Sequence, residues 1–525
     1  MALASSPPRP LPLRMPRLCI ALGGPEASTM VQKAESFIRD NPFLEFRLDY
    51  LRQPSAALGR ISRFVSGRPE LLAIATCRRA ANGGKFRGSL PAQFALLQRA
   101  AKAGFQLVDL ELQSAQKLKK GQYEKLHAQC GIVLSYHDFK ATKKLEDVFG
   151  RMLEFPAEVY KIVTTAAHLG DNVSMLKFLE REGDRVPLVG LCMGEQGLIS
   201  RILALRSGAA FTFASAAAGD ETAPGQISLR DLREIYRIEQ VDRATRVYGV
   251  AGDPVAHSLS PLMMNAAFRR ENINAVYVPL HARSLMDLLT CLREVPVQGA
   301  SITMPYKREI VEQLDNTDPL SNKIGACNTV VRAQDARLYG FNTDVAGVIR
   351  PLEQRLHIPG AKILVIGAGG AARAAVFGLK DRGAEVFIVN RTAEKAQTLA
   401  RQAHAKAVKR ADLKKLQFDV IINATPVGMT NSHSPLEPGE LNARIVFDMV
   451  YQSETRLVRL ARAKGLQVIT GEEMFVHQGA RQFEIWTGKP APVTEMHSVV
   501  HNAVLAGSAA AENGSGRKKK SRRKK

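Results

Sequence analysis

The 525-residue sequence predicts an α/β protein, with a barrel of eight parallel strands followed by a two-part α/β region that contains a nucleotide-binding domain. Three observations predict it. Short β-branched runs alternate with amphipathic helical stretches eight times in the first half. A strand-like run, Lys362–Gly367, leads straight into glycines and a helix. Composition is that of an ordinary globular chain, 45% apolar and 23% charged, and no uninterrupted apolar run is long enough to cross a membrane.

The barrel is expected over residues 16–230. Its strand candidates are Arg17–Leu22, Phe43–Leu48, Leu71–Cys77, Gln106–Leu110, Ile132–His137, Val159–Val163, Pro187–Cys192 and Ala210–Phe213, separated by stretches such as Ala92–Ala103 and Met175–Glu182. Residues 1–15, rich in Pro and Ala, read as a flexible leader without the apolar centre of a signal peptide. Polar residues gather where these strands end: Glu45, Arg47, Arg78, Asp109, Glu111, His137, Lys161 and Met193 to Glu195. In an eight-stranded βα (TIM) barrel, that rim is where active-site groups converge.

Lys161 stands alone at the start of an apolar run, Lys161-Ile162-Val163. Pointing into a barrel it loses hydration, which favours the neutral amine that attacks a ketone. Read alone, it is equally a lysine snorkelling from a strand end. His137 ends the preceding strand, so the two side chains can face one another, as proton abstraction beside an imine requires. Arg47, Arg78 and Arg201 suit a carboxylated substrate if they converge, because guanidinium grips carboxylate through two bonds. Gln226, in Ala223-Pro224-Gly225-Gln226, offers an amide for substrate hydroxyls or simply for its own loop.

Leu229–Arg246 is charged and helical in pattern, and residues 231–246 read as a linker helix. A new pattern opens at Val247 with the strand Tyr248–Ala251, the turn Gly252-Asp253-Pro254 and alternating βα units to about Val348. This gives a domain over 247–358, completed by 472–505, where the helices Glu473–Trp486 and Ser498–Leu505 fold back on it. Ser258 and Ser260 alternate as in an extended segment, so both hydroxyls can face one ligand; a helix cap before Pro261 is the other reading of Ser260. Lys307 and Asp344 are candidates for proton exchange at a carbonyl oxygen, although 37 residues of separation cannot pair them.

Residues 359–471 form the nucleotide-binding domain. Gly367-Ala368-Gly369-Gly370-Ala371-Ala372 follows a strand and opens a helix, the Rossmann pattern of tight turn, close pyrophosphate approach and small packing residue. The next strand ends in Asn390-Arg391-Thr392, with Lys395 beyond, where an NAD site would offer an acid. Two cations and two small polar groups suit a 2′-phosphate, so NADP (NADPH) is expected.

The net charge is +23, of which Arg517–Lys525 carries eight, leaving +15 on the rest. Small anionic ligands account for that as well as nucleic acid does, so nucleic acid is an unlikely partner and the tail 506–525 is expected to be disordered. Six scattered cysteines without a CxxC pair suit reduced thiols of a cytoplasmic protein. His497 and His501 have the spacing of two metal ligands on a helix face but no acid between them, so no metal is expected.

Glu45-Phe46-Arg47-Leu48-Asp49, Tyr136-His137-Asp138-Phe139, Lys161-Ile162, Met193-Gly194, Ser200-Arg201 and Ala223-Pro224-Gly225-Gln226-Ile227, in that order, resemble type I 3-dehydroquinate dehydratase over residues 16–230. The resemblance implies that Lys161 forms a Schiff base with 3-dehydroquinate and that His137 removes the neighbouring proton. It assigns substrate contacts to Glu45, Arg47, Arg78, Arg201, Thr222 and Gln226. It departs from the family at Asn82, where an acid that hydrogen-bonds the catalytic histidine is usual. An amide there implies activity with a lower His137 pKa.

Gly249–Pro261, Ile302–Lys307, Gly325-Ala326-Cys327-Asn328-Thr329, Asn342-Thr343-Asp344, Gly367–Ala372, Asn390-Arg391-Thr392, Asn423–Met429 and Phe475–Phe483 resemble shikimate dehydrogenase over about residues 247–505. That resemblance implies Lys307 and Asp344 as the catalytic pair. It implies Ser258, Ser260, Thr303, Asn328, Tyr451 and Gln478 around shikimate. NADP would lie on Gly367, Ala368, Gly369, Gly370, Ala371, Asn390, Arg391, Thr392, Lys395, Thr425 and Gly471. Ser301 stands where the family commonly has Asn. Together the halves imply a bifunctional shikimate-pathway enzyme that dehydrates 3-dehydroquinate and reduces the product with NADPH. An NAD-dependent quinate dehydrogenase and a catalytically inactive sensor are the rival readings.

Overall fold

Strands that are apolar on both faces are buried only when helices cover the sheet or the sheet closes on itself. In the computed structural model the first half does both. The structure describes residues 11–12, 14–256, 258–295, 297–429, 432–451 and 454–522, with the side chains of Lys120 and of 508–522 outside that description. The chain divides into two compact units, Met1–Arg246 with Val278–Val295, and Val247–Tyr277 with Pro296–Lys525.

The first unit holds β1 (Leu18–Leu22), β2 (Phe43–Arg47), β3 (Leu72–Thr76), β4 (Leu107–Glu111), β5 (Gly131–His137), β6 (Val159–Thr165), β7 (Leu188–Met193) and β8 (Thr212–Ser215). They form one sheet in the order β7-β6-β5-β4-β3-β2-β1-β8, parallel throughout. Its two ends meet where the Ala210 amide donates to the Leu188 carbonyl at 2.8 Å, giving a nearly closed barrel. Phe43, Ile74, Val133, Val159, Val189 and Phe211 fill its interior. The expected leader 1–15 is only partly testable: residues 1–10 and 13 lie outside the described residues, whereas Leu11 and Met15 pack against that core rather than hanging free.

The expected linker helix 231–246 is a correction. The helix covers only Leu229–Glu234, Arg237 takes φ 47°, and a 3₁₀ turn follows at Ile238–Gln240. Leu232, Ile238 and Val241 are buried, so side-chain burial rather than helical periodicity shapes this stretch.

The next sheet comprises β9 (Arg246–Gly252), β10 (Ala275–His281), β11 (Val297–Ile302), β12 (Asn316–Thr317), β13 (Thr329–Arg332) and β14 (Leu338–Phe341), in the order β10-β9-β11-β13-β14-β12. The expected βα alternation runs from β9 through the helices Ser260–Arg270, Leu285–Glu294 and Pro319–Ile324 but breaks at β13 and β14. β13 runs antiparallel to both β11 and β14, because the short turn between β13 and β14, with Ala336 at φ 65°, permits only a hairpin. The helices Gly471–Thr487 and Val493–Arg522 return to pack on Ser260–Arg270, burying Met263, Phe268, Phe483, Trp486 and Met496 together.

The last sheet is parallel: β15 (Lys362–Ile366), β16 (Glu385–Val389), β17 (Lys406–Ala407), β18 (Val420–Asn423), β19 (Ile445–Asp448) and β20 (Gln467–Ile469), in the order β17-β16-β15-β18-β19-β20. The chain leaves β15 on one side and returns on the other, which opens a crevice at its carboxyl end. The tail expected to be disordered from 506 is instead helical through Arg522, although Gly514 and Gly516 lie within that helix and disfavour it. Residues 523–525 lie outside the described residues.

Gly299 on β11 lets Trp486 approach: a Cβ there would stand 2.3 Å from the indole Nε1, which donates to the Val330 carbonyl at 3.1 Å. Gly299→Ala is expected to cost about 1–3 kcal/mol through overpacking. Thermal unfolding checks it, and an unchanged midpoint would mean that the indole shifts freely.

Candidate active sites

A cavity at the carboxyl ends of the barrel strands is lined by Glu45, Arg47, Arg78, His137, Lys161, Arg201, Thr222 and Gln226. Lys161 is 5% exposed. Its Nζ lies 3.1 Å from Asp109 Oδ2, 3.5 Å from Glu45 Oε1 and 4.0 Å above the Phe213 ring. The sequence leads one to expect a lone desolvated amine; the structure pairs it with two carboxylates from β4 and β2. Burial alone would raise the Asp109 pKa, but Lys161 and Arg78 outweigh it and hold that carboxyl below the ordinary range. Asp109, named among the rim residues but not as a site residue, is therefore at the centre of the cluster.

His137 sits two residues further along the strand pair than Lys161, opposite Val163, while Lys161 stands opposite Ser135. Burial, then the cations Arg78 and Lys161, push the His137 pKa well below 6.5. Its Nδ1 is buried without a partner. Asn82 does not orient it: Nδ2 of Asn82 donates to Glu111 Oε1 at 3.3 Å. The lowered His137 pKa thus has burial and neighbouring cations as its cause.

The three arginines differ. Arg47 is bound at two points to Asp49, 2.9 Å each, and that carboxylate holds its pKa above the ordinary value despite burial. Arg78 pairs with Asp109 at 3.2 and 3.3 Å. Arg201 is 1% exposed and has no acidic partner among the described residues. It donates to the Pro224 carbonyl at 3.0 Å, its Nε is unsatisfied, and burial lowers its pKa to about 10. An unpaired guanidinium in such a place fits an anionic ligand. Gln226 Oε1 is occupied by Thr222, which donates from its amide at 2.8 Å and its hydroxyl at 3.2 Å.

In the second unit, Lys307 Nζ and Asp344 Oδ2 lie 2.6 Å apart despite their separation in sequence. Asn328 Nδ2 donates to Asp344 Oδ1 at 2.7 Å and stands 3.5 Å from Gln478 Oε1, so these four side chains share one place. Ser258 and Ser260 are not in an extended segment: Leu259 has helical φ/ψ, the helix starts at Ser260, and the Ser260 amide donates to Ser258 Oγ at 3.2 Å. Thr303 lies against Gly252, and Tyr451 stacks on Phe475 with centroids 4.9 Å apart. Gln482 was missed by sequence reasoning, although its position four residues after Gln478 places both on one helix face.

At the crevice of the last sheet, Gly367 takes φ 120° and its amide donates to the Val389 carbonyl at 2.8 Å. A Cβ there would come within 3.0 Å of the Ala424 carbonyl. Cβ atoms at Gly369 or Gly370 would meet nothing within 4 Å. The helix Gly370–Asp381 begins there without a side-chain cap, so its first amides are not taken by the cap residue's side chain, and Ala368 and Ala371 lie beside them. That cradle suits a pyrophosphate. Arg391, Thr392 and Lys395 are exposed, and the two cations have no acidic partner among the described residues. Asn390 is tied to the Thr392 carbonyl at 2.9 Å, and Thr425 to Asn423 at 2.7 Å. Gly471 has a packing reason of its own, since a Cβ would meet the Val450 carbonyl at 2.5 Å. His497 and His501 both approach Glu472, at 3.5 and 3.2 Å, but no metal-holding group of three occurs among the described residues.

Four family models match the chain: type I 3-dehydroquinase at residues 18–243, shikimate dehydrogenase substrate binding domain at 250–330, shikimate / quinate 5-dehydrogenase at 352–433, and shikimate 5′-dehydrogenase C-terminal domain at 471–501. The bifunctional 3-dehydroquinate dehydratase/shikimate dehydrogenase, chloroplastic, of Arabidopsis thaliana is 35% identical over 474 residues, covering 86% of this chain and 78% of that protein. A shikimate dehydrogenase (NADP(+)) of Pyrococcus furiosus is 39% identical over 268 residues, 49% of this chain and 96% of that one. Among solved structures, shikimate 5-dehydrogenase from Thermus thermophilus in complex with NADP(H) and shikimate is 36% identical, with a TM-score of 0.47, covering 49% of this chain and 100% of that chain.

Because the native His137 pKa lies below 6.5, the unfolded chain holds a proton that the native one lacks between those two values. Stability therefore rises with pH through that window and is lost as pH falls below 6.5. Histidine-ring NMR is expected to find His137 still neutral when exposed histidines are already charged. An imidazolium at His137 under those conditions would contradict the geometry.

Proposed function

The chain belongs to the family of bifunctional 3-dehydroquinate dehydratase/shikimate dehydrogenases, and on that premise we propose that residues 16–230 dehydrate 3-dehydroquinate and the remainder reduces the product to shikimate. The observation that carries the dehydratase reading is a buried lysine sharing a cavity with a neutral imidazole and an unpaired guanidinium.

Lys161 must lose its proton before its nitrogen adds to the substrate ketone; expulsion of water then gives the imine. His137, neutral because burial and cations keep it so, removes the adjacent proton. The resulting imidazolium returns that proton to the departing hydroxyl, which leaves as water, and hydrolysis of the imine frees Lys161. Asp109 keeps the amine in place before addition. Arg201 takes the substrate carboxylate, since Arg47 is already committed to Asp49; Arg78, Glu45, Thr222 and Gln226 line the remaining wall.

In the reductase half, Lys307 exchanges the proton at the carbonyl oxygen and Asp344 holds it there, with Asn328 fixing the second Asp344 oxygen. Ser258, Ser260, Thr303, Tyr451 and Gln478 surround the ring and carboxylate. NADPH, when bound, supplies the hydride. Its pyrophosphate suits Gly367–Ala371, and its 2′-phosphate suits Asn390, Arg391, Thr392 and Lys395, with Thr425 beside the turn. An NAD-dependent quinate dehydrogenase would want an acid where Asn390 stands. Residues 247–358 with 472–505 form the substrate domain and 359–471 the nucleotide domain. No helix among the described residues is long and apolar enough to cross a membrane. We place the chain in the cytoplasm, which suits six buried free cysteines.

An assay that supplies 3-dehydroquinate and NADPH is expected to consume NADPH, much faster than with NADH, and no consumption would refute the bifunctional reading. Lys161→Ala is expected to lower dehydration by at least about 10³-fold while shikimate oxidation persists, measured separately on one preparation. Asp344→Asn is expected to lower only shikimate oxidation, by roughly 10²–10⁴-fold.

A further inference from the structure

Behind the reductase pair, Tyr277, Ser301 and Gln482, whose side chains bond neither Lys307 nor Asp344, form a line of hydrogen bonds that ends on Asn328. Gln482 is 2% exposed. Its Nε2 donates to the Asn328 carbonyl at 3.1 Å and to Thr329 Oγ1 at 3.0 Å. A carbonyl can only accept, so the amide cannot be turned round. Its Oε1 consequently faces Ser301, whose hydroxyl donates to it at 2.7 Å. With that proton committed, Ser301 accepts from Tyr277 Oη at 2.5 Å. Tyr277 is fully buried beside Trp486. At the other end Thr329 Oγ1 donates to Asn328 Oδ1 at 2.8 Å, and Asn328 Nδ2 donates to Asp344.

The direction of the bonds from Tyr277 to Gln482 is thus set by one backbone carbonyl, and that of the Asn328 side chain by the Thr343 amide and the Asp344 carboxylate. A single partner would have satisfied a buried tyrosine hydroxyl. This line instead continues from Tyr277 through Ser301 and Gln482 to Asn328, beside the Lys307–Asp344 pair. We infer that Tyr277, Ser301 and Gln482 are positioning residues that hold Asn328 in place for a hydroxylated cyclic carboxylate. The inference rests on the reductase reading above. Ser301 suits the role because its short side chain leaves room for the Tyr277 hydroxyl at hydrogen-bond distance.

Tyr277→Phe and Ser301→Ala each cut the line while leaving the surrounding carbon framework. Each is expected to raise the KM for shikimate about 5- to 10-fold, with the KM for NADP+ and the dehydratase rate of the same polypeptide changed by less than about twofold. The double variant is expected to be no worse than either single one, because both break one chain of bonds. Ser301→Thr, which keeps the hydroxyl, is expected to restore the KM. An unchanged shikimate KM in both single variants, an equal rise in both reductase KM values, or additive effects in the double variant would each overturn the inference. A wild-type protein that does not oxidise shikimate with NADP+ would overturn the reductase reading itself, whereas an active wild type with unaffected variants would remove only the positioning role.

Discussion

Charge taken out of water is the constraint around which the barrel half is arranged. An ammonium or guanidinium inside a protein needs a partner, since its lost hydration is otherwise uncompensated. Lys161 has Asp109 and Glu45, Arg47 has Asp49, and Arg78 has Asp109. These pairs consume the acids at the strand ends and leave Arg201 over. At His137 burial first, and then the cations Arg78 and Lys161, disfavour the protonated form. A neutral base and an unsatisfied cation follow from burial together with one distribution of charge.

The second half solves a different problem with neutral groups. Asn328 is held from three sides, by the Thr343 amide, Thr329 and Gln482, before it reaches Asp344. Polar atoms buried in this way rigidify a site only when all are satisfied. The nucleotide crevice does the reverse: its helix starts without a side-chain cap and with open space beside Gly369 and Gly370, which is what an anion bound at a helix start needs.

Much of the architecture was legible in the sequence, because strand and helix periods are local. All eight barrel strands overlap the runs picked out by alternation, and the turn after β15 follows from its glycines. The failures have physical causes. The β13–β14 hairpin was hidden among units expected to be parallel, since strand direction depends on a turn and not on periodicity. The charged segment before β9 has helical spacing but is cut by Arg237. In the sites, Lys161, His137, Lys307 and Asp344 stand out by residue type. Their partners do not: Lys161 on β6 meets Asp109 of β4 and Glu45 of β2, strands that are not its neighbours in the sheet. The amide at Asn82 is an example: its turning to Glu111 has no trace in sequence spacing.

The isolation of Arg201 reaches beyond the substrate. A guanidinium without a resident acid has no means of its own to tell one oxyanion from another. Phosphate and sulfate offer that cation the same kind of oxygen partner as a carboxylate does. Discrimination then falls to the groups that share its cavity, Arg78, Glu45, Thr222 and Gln226 among them.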